Sequence, residues 1–142
     1  MQVPPQQFRF RFFALDSGEW HEVEIKGDTV CYSAGWVWKE IPSREHRRTP
    51  DDQAWSAFKK TLNQITIWTW KSDYSDPWVL DGGGWEIEIE WNGRTVRSGG
   101  ENGYPGCDSP DYSKSPVFTG LLDAIKRMLD FEDAFEPLRW NG

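Results

Sequence analysis

The chain has 142 residues, the size of one domain, and its ten tryptophans, eight phenylalanines and four tyrosines predict an aromatic core. We therefore expect a single α+β domain over residues 1–142. The net charge of −7 opposes binding to nucleic acid and to anionic lipid, so neither is expected as a partner. No apolar run approaches the length of a membrane span and the first residues lack a signal-peptide pattern, so we expect a cytoplasmic protein.

The first third of the chain predicts antiparallel strands. Three are expected, at residues 7–15, 20–26 and 29–33. The run Trp36-Val37-Trp38 would either continue the third strand past Gly35 or form an edge. In the first of them phenylalanines alternate with basic residues, which is typical of a strand with one buried face. The basic run at 44–48 is expected to be a solvated loop ahead of a helix.

A helix start is predicted at Thr49-Pro50-Asp51-Asp52. Thr49 would be the N-cap, and Pro50 would take the first helical position, where its missing N–H costs nothing. Apolar residues at three- and four-residue spacing follow as far as Ile65, so this helix should pack on a sheet. Residues 65–70 are β-branched or aromatic on both faces, which predicts a strand near the middle of the sheet.

The strongest local signal is the Asn-Gly pair at 92–93, which lies between two runs of alternating residues. Both positions of a type I′ turn need positive φ, which Asn and Gly tolerate best, so a β-hairpin is predicted. Counting from the turn gives the expected cross-strand pairs, Trp91 with Arg94, Ile89 with Val96, Glu88 with Arg97, and Trp85 near Gly100. This register brings residues 81–84 beside residues 99–104.

A long loop at 99–116 and a second helix from Ser115-Pro116 to about Phe131 complete the predicted elements. Their order is βββαβββα. It predicts an α+β fold in which a single antiparallel twisted sheet of about six strands has two helices packed on one face.

Three short motifs in the chain resemble a group of small uncharacterised bacterial proteins of the kind carried on integron gene cassettes. They are an aromatic segment with Trp68, Trp70 and Tyr74, then Asp81-Gly82 with Trp85, and then residues 100–105 (Gly-Glu-Asn-Gly-Tyr-Pro). The resemblance covers about residues 50–130. It implies a bacterial, mobile genomic setting and no particular activity. In this chain Gly83 and Gly84 stand between the Asp-Gly element and the tryptophan.

The two loops that meet at the open end of the hairpin are the candidate ligand site. The residues expected there are Asp81, Glu101 and Asn102 for oxygen atoms, and Trp85, Tyr104, Trp70 and Tyr74 for flat walls. Such a mixture suits a small polar ligand such as a sugar, a nucleoside or a peptide. A structural role for the same residues is the competing interpretation, because Asp81 would cap its own turn and Tyr104 would anchor the long loop.

Three functions are compatible with this pattern. The first is a non-enzymatic ligand-binding or accessory module. The second is a hydrolase that uses Asp81 and Glu101 as paired carboxylates. The third is an acidic interaction factor, or nucleic-acid mimic, that binds a basic protein partner through the acidic stripe at 86–90.

The remaining expectations concern partners and chemistry. Because ten tryptophans exceed what one sheet face can hide, we expect a homodimer. The two cysteines and two histidines lack metal-binding spacing, so no metal and no cofactor is expected. No catalytic residue is predicted.

Overall fold

The computed structural model describes residues 3–14, 17–76 and 83–138. Its elements are β1 (Gln7–Ala14), β2 (Glu19–Lys26), β3 (Thr29–Trp36), β4 (Arg44–Arg48), α1 (Asp52–Gln64), β5 (Gly83–Trp91), β6 (Arg94–Glu101) and α2 (Pro116–Leu129), with 3-10 turns at Ile67–Thr69 and Tyr112–Lys114. The strands form one sheet in the order β4-β3-β2-β1-β5-β6, and every neighbouring pair is antiparallel. The predicted α+β class, with a sheet of about six strands and two helices, is confirmed.

Strand β1 lies in the middle of the sheet, between β2 and β5. Its Phe10 stands opposite Val23 on one side and Ile87 on the other. Its Arg11 stands opposite Glu86, although the two residues are 75 positions apart in sequence. Apolar side chains therefore meet on one face of the sheet and opposite charges meet on the other.

The predicted hairpin is confirmed. Asn92 and Gly93 both have positive φ, at 51° and 80°, as a type I′ turn requires. The cross-strand pairs are Trp91 with Arg94, Ile89 with Val96, Glu88 with Arg97, and Trp85 with Gly100. Strand β6 continues to Glu101, so the loop predicted at 99–116 begins only after that residue. β3 continues past Gly35, which is the first of the two alternatives for this stretch, and ends at Trp36.

Aromatic rings fill the space between the sheet and the helices. The ring centroid of Phe8 lies 5.4 Å from that of Phe58 in α1, and the centroid of Phe10 lies 6.2 Å from that of Phe118 in α2. Each buried ring of this kind removes on the order of 150–250 Å² from water. Both helices therefore bind to the apolar face of the sheet through direct ring contacts.

The start of α1 differs from the prediction. Asp51, rather than Thr49, is the N-cap, and its carboxylate Oδ1 accepts a hydrogen bond from the main-chain N of Ala54 at 2.8 Å. Thr49 lies further upstream, where its hydroxyl bonds to that of Thr29 at 2.9 Å. The carboxylate of an aspartate satisfies the free N–H groups of a first turn at least as well as a threonine hydroxyl does, so the helix begins at Asp52.

The start of α2 is confirmed. The hydroxyl of Ser115 accepts a hydrogen bond from the main-chain N of Phe118 at 3.2 Å, and Pro116 takes the first helical position. The helix ends at Leu129, two residues before the predicted end, because Asp130 adopts a left-handed conformation with φ of 50°. Within the described residues, neither helix is long and apolar enough to cross a membrane.

The prediction of a strand at residues 65–70 is wrong. Residues there close α1 and form a 3-10 turn, after Thr66 has reversed the chain with φ of 53°. Two indole N–H groups hold the turn locally. Trp68 Nε1 donates to Asn63 Oδ1 at 2.8 Å, and Trp70 Nε1 donates to the carbonyl of Ile65 at 3.1 Å.

The sixth strand is β4, which was predicted to be a loop. Its Arg44, His46 and Arg48 face the helices, opposite alternate residues of β3. Their side chains hydrogen-bond to the main-chain carbonyls of Arg127, Met128, Leu129, Asp133 and Glu136. A helix ends with unpaired carbonyls and a partial negative charge, so these basic groups satisfy the end of α2 and the segment that follows it.

The other face of the sheet is lined by ion pairs. Arginines of β1 alternate with glutamates of the two neighbouring strands, at distances of 3.4 Å for Arg9 with Glu22 and 3.3 Å for Arg11 with Glu86. These pairs are partly exposed and each contributes on the order of 1 kcal/mol or less. Their main effect is to balance the acidic stripe of β5 with positive charge.

We expect Arg44→Ala to lower the free energy of unfolding by about 1–3 kcal/mol, because carbonyls of Asp133 and Glu136 lose a charged donor at 2.8 Å. Arg47→Ala is the matched control, since Arg47 lies on the same strand but is exposed on the opposite face. It should change stability by about 0.5 kcal/mol or less. Urea denaturation measures both, and equal losses in the two variants would contradict this role of Arg44.

Candidate functional site

Trp85 is the centre of an aromatic cluster at the open end of the hairpin. Its side chain is 2% exposed, and its Nε1 donates to the carbonyl of Gly103 at 2.8 Å. Its ring packs against Trp70, Tyr74 and Phe118, with centroid distances of 5.7, 6.0 and 5.1 Å. The structure therefore brings three predicted site residues together, but the Trp85 ring lies inside the core behind the site.

Asn102 ties the loop after β6 to the start of β5. Its main-chain N donates to the carbonyl of Gly83 at 2.8 Å, and its side-chain Oδ1 accepts from the N of Gly83 at 3.1 Å. Asn102 adopts φ of 59°, a left-handed conformation that asparagine tolerates better than most residues. It is 5% exposed, so the amide fixes the turn that follows the hairpin ladder.

The segment 74–76 lies along the end of β6. The main-chain N of Tyr74 donates to the carbonyl of Gly99, and that of Asp76 donates to the carbonyl of Glu101, both at 2.8 Å. A Cβ on Gly103 would overlap the carbonyl of Tyr74, so only glycine permits this close approach. These contacts build one wall of a pocket from a part of the chain that is distant in sequence.

Tyr104 lies between the aromatic cluster and this pocket. Its side chain is 3% exposed, and its ring centroid lies 4.8 Å from that of Phe118. Its hydroxyl is 3.7 Å from the position a Cβ would take on Gly83, and no described residue forms a hydrogen bond with it. Burial raises the pKa of Tyr104 to about 12, so the phenol keeps its proton and remains a hydrogen-bond donor at neutral pH.

The pocket itself has a volume of about 250 Å³. Its described lining residues are Tyr74, Ser75, Asp76, Asn102, Gly103, Tyr104, Cys107, Asp108 and Ser109. A bridge between Tyr104 and Cys107 closes the loop on one side. Side-chain oxygens predominate on this lining, and none of the described lining residues is a lysine or an arginine.

The predicted site residues separate into three groups. Tyr74, Asn102 and Tyr104 line the pocket, while the two tryptophans support it from behind. Glu101 is exposed on the open face of the sheet, opposite Gly84, and is not part of the pocket lining. Asp81 lies outside the described residues, so the structure gives no distance between Asp81 and Glu101.

Sequence reasoning missed the acidic and hydroxyl residues of the pocket, namely Ser75, Asp76, Asp108 and Ser109. They lie in two irregular stretches without hydrophobic periodicity. The loop at 99–116 was singled out as a stretch of the length that often carries function, but that signal does not select individual residues.

A second cluster of titratable groups surrounds His21, which is 4% exposed on the helix-facing side of β2. Its Nδ1 lies 2.8 Å from the hydroxyl of Tyr32, and its Nε2 lies 3.7 Å from Oε1 of Glu19. Burial lowers the pKa of His21 to about 4, and the charge of Glu19 opposes that shift only in part. The imidazole is therefore neutral at pH 7.

Among residues 3–14, 17–76 and 83–138, no group of three or more His, Cys, Asp and Glu side chains is arranged to hold a metal ion. No protein-family model matches the chain, and no curated protein sequence matches it. The resemblance to integron-cassette proteins therefore stays a prediction, and the site is interpreted from its geometry alone.

We expect the free energy of unfolding to fall as the pH is lowered from about 6.5 to about 4. In this window the unfolded chain protonates His21 while the folded chain keeps it neutral, so the unfolded state binds more protons. The stabilising contribution is complete above pH 6.5, is lost on acidification and levels off near pH 4. The lowering of the His21 pKa from 6.5 to about 4 corresponds to a loss of about 3 kcal/mol in the free energy of unfolding.

Urea denaturation of the native chain and of His21→Phe at several pH values between 4 and 7 measures this contribution. The variant keeps an aromatic ring beside Phe12 but does not titrate. Its stability should depend less steeply on pH. The same pH dependence in both proteins would show that His21 is not responsible.

Proposed function

We propose that the protein is a non-enzymatic binding module that takes a small polar ligand into the pocket beside Tyr104. The observation that supports this most directly is Tyr104, whose side chain is 3% exposed and lines the pocket, and whose hydroxyl has no hydrogen-bond partner among the described residues. The hydroxyl keeps contact with solvent, since Trp55 Nε1 is the one fully buried side-chain polar atom without a partner in the part of the chain that the structure describes. A ligand oxygen would take the place of that solvent and accept a hydrogen bond from the phenol.

The charge of the lining narrows the class of ligand. Asp76 and Asp108 contribute carboxylates, and Ser75 and Ser109 contribute hydroxyls. Carboxylates accept hydrogen bonds and repel anions, so phosphates and carboxylic acids are disfavoured. The lining suits a neutral or cationic ligand with several hydroxyl or amino groups, such as a sugar, a polyol or an amine.

The size of the pocket indicates a ligand smaller than a drug molecule. Its volume of about 250 Å³ lies below the roughly 300–1,000 Å³ of pockets that hold drug-sized ligands. The walls are fixed before any ligand arrives, since main-chain hydrogen bonds hold both Tyr74 and Asn102 against the hairpin. A preorganised site loses less entropy on binding, which favours affinity for a small molecule.

The two alternative functions have weaker support. A hydrolase with Asp81 and Glu101 as its acids would need Glu101 at the pocket, and Glu101 is instead exposed on the other side of the sheet end. An acidic interaction factor would need a continuous negative surface. Two of the three glutamates of β5 pair with arginines, Glu86 with Arg11 at 3.3 Å and Glu88 with Arg97 at 3.6 Å, so a basic partner would have to displace these arginines.

The predicted cytoplasmic setting and homodimer belong to the same proposal. In support of self-association, Val37, Trp38 and Ile41 are 70, 56 and 79% exposed in one loop between β3 and β4. Exposed apolar groups of this size commonly mark a contact surface. A monomer in sedimentation velocity at micromolar concentration would contradict the dimer and leave the ligand proposal intact.

A thermal-shift panel tests the ligand proposal. The probes are glucose, N-acetylglucosamine and spermidine, with glucose 6-phosphate as the matched anionic probe. We expect at least one neutral or cationic probe to raise the melting temperature, because a ligand that binds only the folded state stabilises it. Glucose 6-phosphate should not raise the melting temperature, even if glucose does, because its phosphate is repelled by the carboxylates of the pocket.

Tyr104→Phe removes the hydroxyl alone. It should weaken the binding of the probe that raises the melting temperature by about tenfold, or about 1.4 kcal/mol. Tyr112→Phe is the control, since Tyr112 belongs to the same aromatic cluster but is not part of the pocket lining. It should leave binding unchanged. The proposal fails if all three neutral and cationic probes are silent at millimolar concentration, or if Tyr104→Phe binds as tightly as the native chain.

A further inference from the structure

We infer that the open face of the sheet carries a second ligand site, an aromatic platform formed by Phe13 and Trp20 that stacks against an uncharged flat ring. This platform lies on the side of the sheet away from the helices. It does not depend on the pocket beside Tyr104, and no residue that lines that pocket contributes to it.

Phe13 and Trp20 stand directly opposite each other on β1 and β2. The next row along the same two strands is charged, since Arg11 stands opposite Glu22. Among the described strand residues on the open face, these two are the aromatic ones. They therefore form an apolar band at one end of a surface that is otherwise polar and ion-paired.

A glycine lies beside each ring on the next strand. Gly84 of β5 stands opposite Phe13, and Gly35 of β3 stands opposite Trp20. Two ring carbons of Trp20 lie 3.0 and 3.2 Å from the position a Cβ would take on Gly35, and the ring of Phe13 overlaps the corresponding position on Gly84. Both rings therefore lie across the backbone of the adjoining strands, in space that only glycine leaves open.

Phe13 and Trp20 both line a groove at this end of the sheet. The groove has a volume of about 460 Å³. This is within the range of small-molecule sites. Both rings are half-buried and line the groove together with Arg11, Glu86 and Val37. The lining continues around the end of the sheet to the helix-facing residues Phe12, Glu19 and His21. With respect to the described residues, the platform is therefore accessible to a ligand of moderate size.

The chemistry of the groove indicates an uncharged ring. The flat aromatic surfaces favour stacking against another flat ring. At the edge, the guanidinium of Arg11 and the carboxylate of Glu86 form a pair at 3.3 Å, and their side chains are 45 and 53% exposed. The pair has no net charge but retains free N–H groups and oxygen lone pairs. Glu19 also lines the groove, and its carboxylate, which accepts a hydrogen bond from the main-chain N of Leu138 at 2.6 Å, repels anionic ligands. A flat ring with hydrogen-bonding groups on its edge, as in a pyranose or a nucleobase, satisfies both features.

Titration of ¹⁵N-labelled full-length chain with adenosine, with indole and with cellotriose at millimolar concentration tests the platform by NMR. We expect at least one of these ring probes to shift the main-chain amides of Phe13, Trp20, Gly35 and Gly84, and to leave the amide of Tyr104 unchanged. The probe that binds distinguishes a sugar from an aromatic base as the source of the ring.

Phe13→Leu and Trp20→Leu keep apolar volume on the sheet but remove the flat surfaces, so each should weaken binding by about tenfold. Trp68→Leu is the matched control, because Trp68 is also half-buried but lies on the turn after α1. Gly35→Ala, which displaces the Trp20 ring without removing it, should also weaken binding. Far-UV circular dichroism verifies that each variant is folded.

Two results would overturn the inference. The first is that none of the three probes shifts the four platform amides. The second is that a probe shifts them equally in the native chain and in both leucine variants. A shift confined to the amides around Tyr104 would count against the platform while supporting the proposed function, so the two sites can fail separately.

Discussion

The antiparallel pairing of β1 with β5 is the constraint on which the rest of the structure depends. It runs from Gln7 opposite Glu90 to Ala14 opposite Gly83, and it joins the four N-terminal strands to the C-terminal hairpin. Both strands alternate apolar and charged residues. A slip of one residue would turn the phenylalanines of β1 toward the glutamates of β5, so the alternation itself specifies the register.

This register places both candidate sites at the same end of the sheet. Trp85 points toward the helices and supports the pocket beside Tyr104, whereas Gly84 lies under the ring of Phe13 on the open face. Gly83 holds Asn102 through two hydrogen bonds. The first three residues of β5 thus support a polar pocket on one side and an aromatic platform on the other. Glycine at positions 83 and 84, which has no Cβ, leaves room for both the pocket and the platform.

The fold could be predicted where the signal was local. The Asn-Gly turn and the Ser115 cap each lie within a few residues of the structure they specify, and both were predicted correctly. The total of about six strands was also right, but one member was wrong. The run at 65–70 has strong β propensity, yet the indole of Trp70 bonds to Ile65, five residues earlier, and stabilises a turn.

The sixth strand of the sheet is β4 instead, and the sequence did not indicate it because the partners of its side chains lie far along the chain. Its inward-facing basic residues are satisfied by carbonyls far along the chain, as His46 is by Leu129, 83 residues away. A window of sequence around His46 contains no sign of that partner. The run of basic residues was therefore interpreted as a solvated loop, although here its inward-facing members satisfy the end of a helix.

The site was predictable only in part. The hairpin register correctly brought the start of β5 beside the loop that holds Asn102 and Tyr104. It could not show that the segment 74–76 lies along β6, because no periodicity links those residues to the hairpin. Phe13 and Trp20 were visible as aromatic residues at positions that otherwise carry charge. Their platform emerges only once the glycines opposite them are known.

Disulfide trapping tests the β1–β5 register most directly. In a chain with Cys31→Ser and Cys107→Ser, the pair Arg9→Cys with Glu88→Cys joins residues that stand directly opposite each other on the open face. Cα atoms at such positions lie about 4.5–5.5 Å apart, within reach of a disulfide. We expect rapid oxidation of this pair and none of the shifted pair Arg9→Cys with Glu86→Cys. Preferential oxidation of the shifted pair would contradict the register, and with it the placement of both sites.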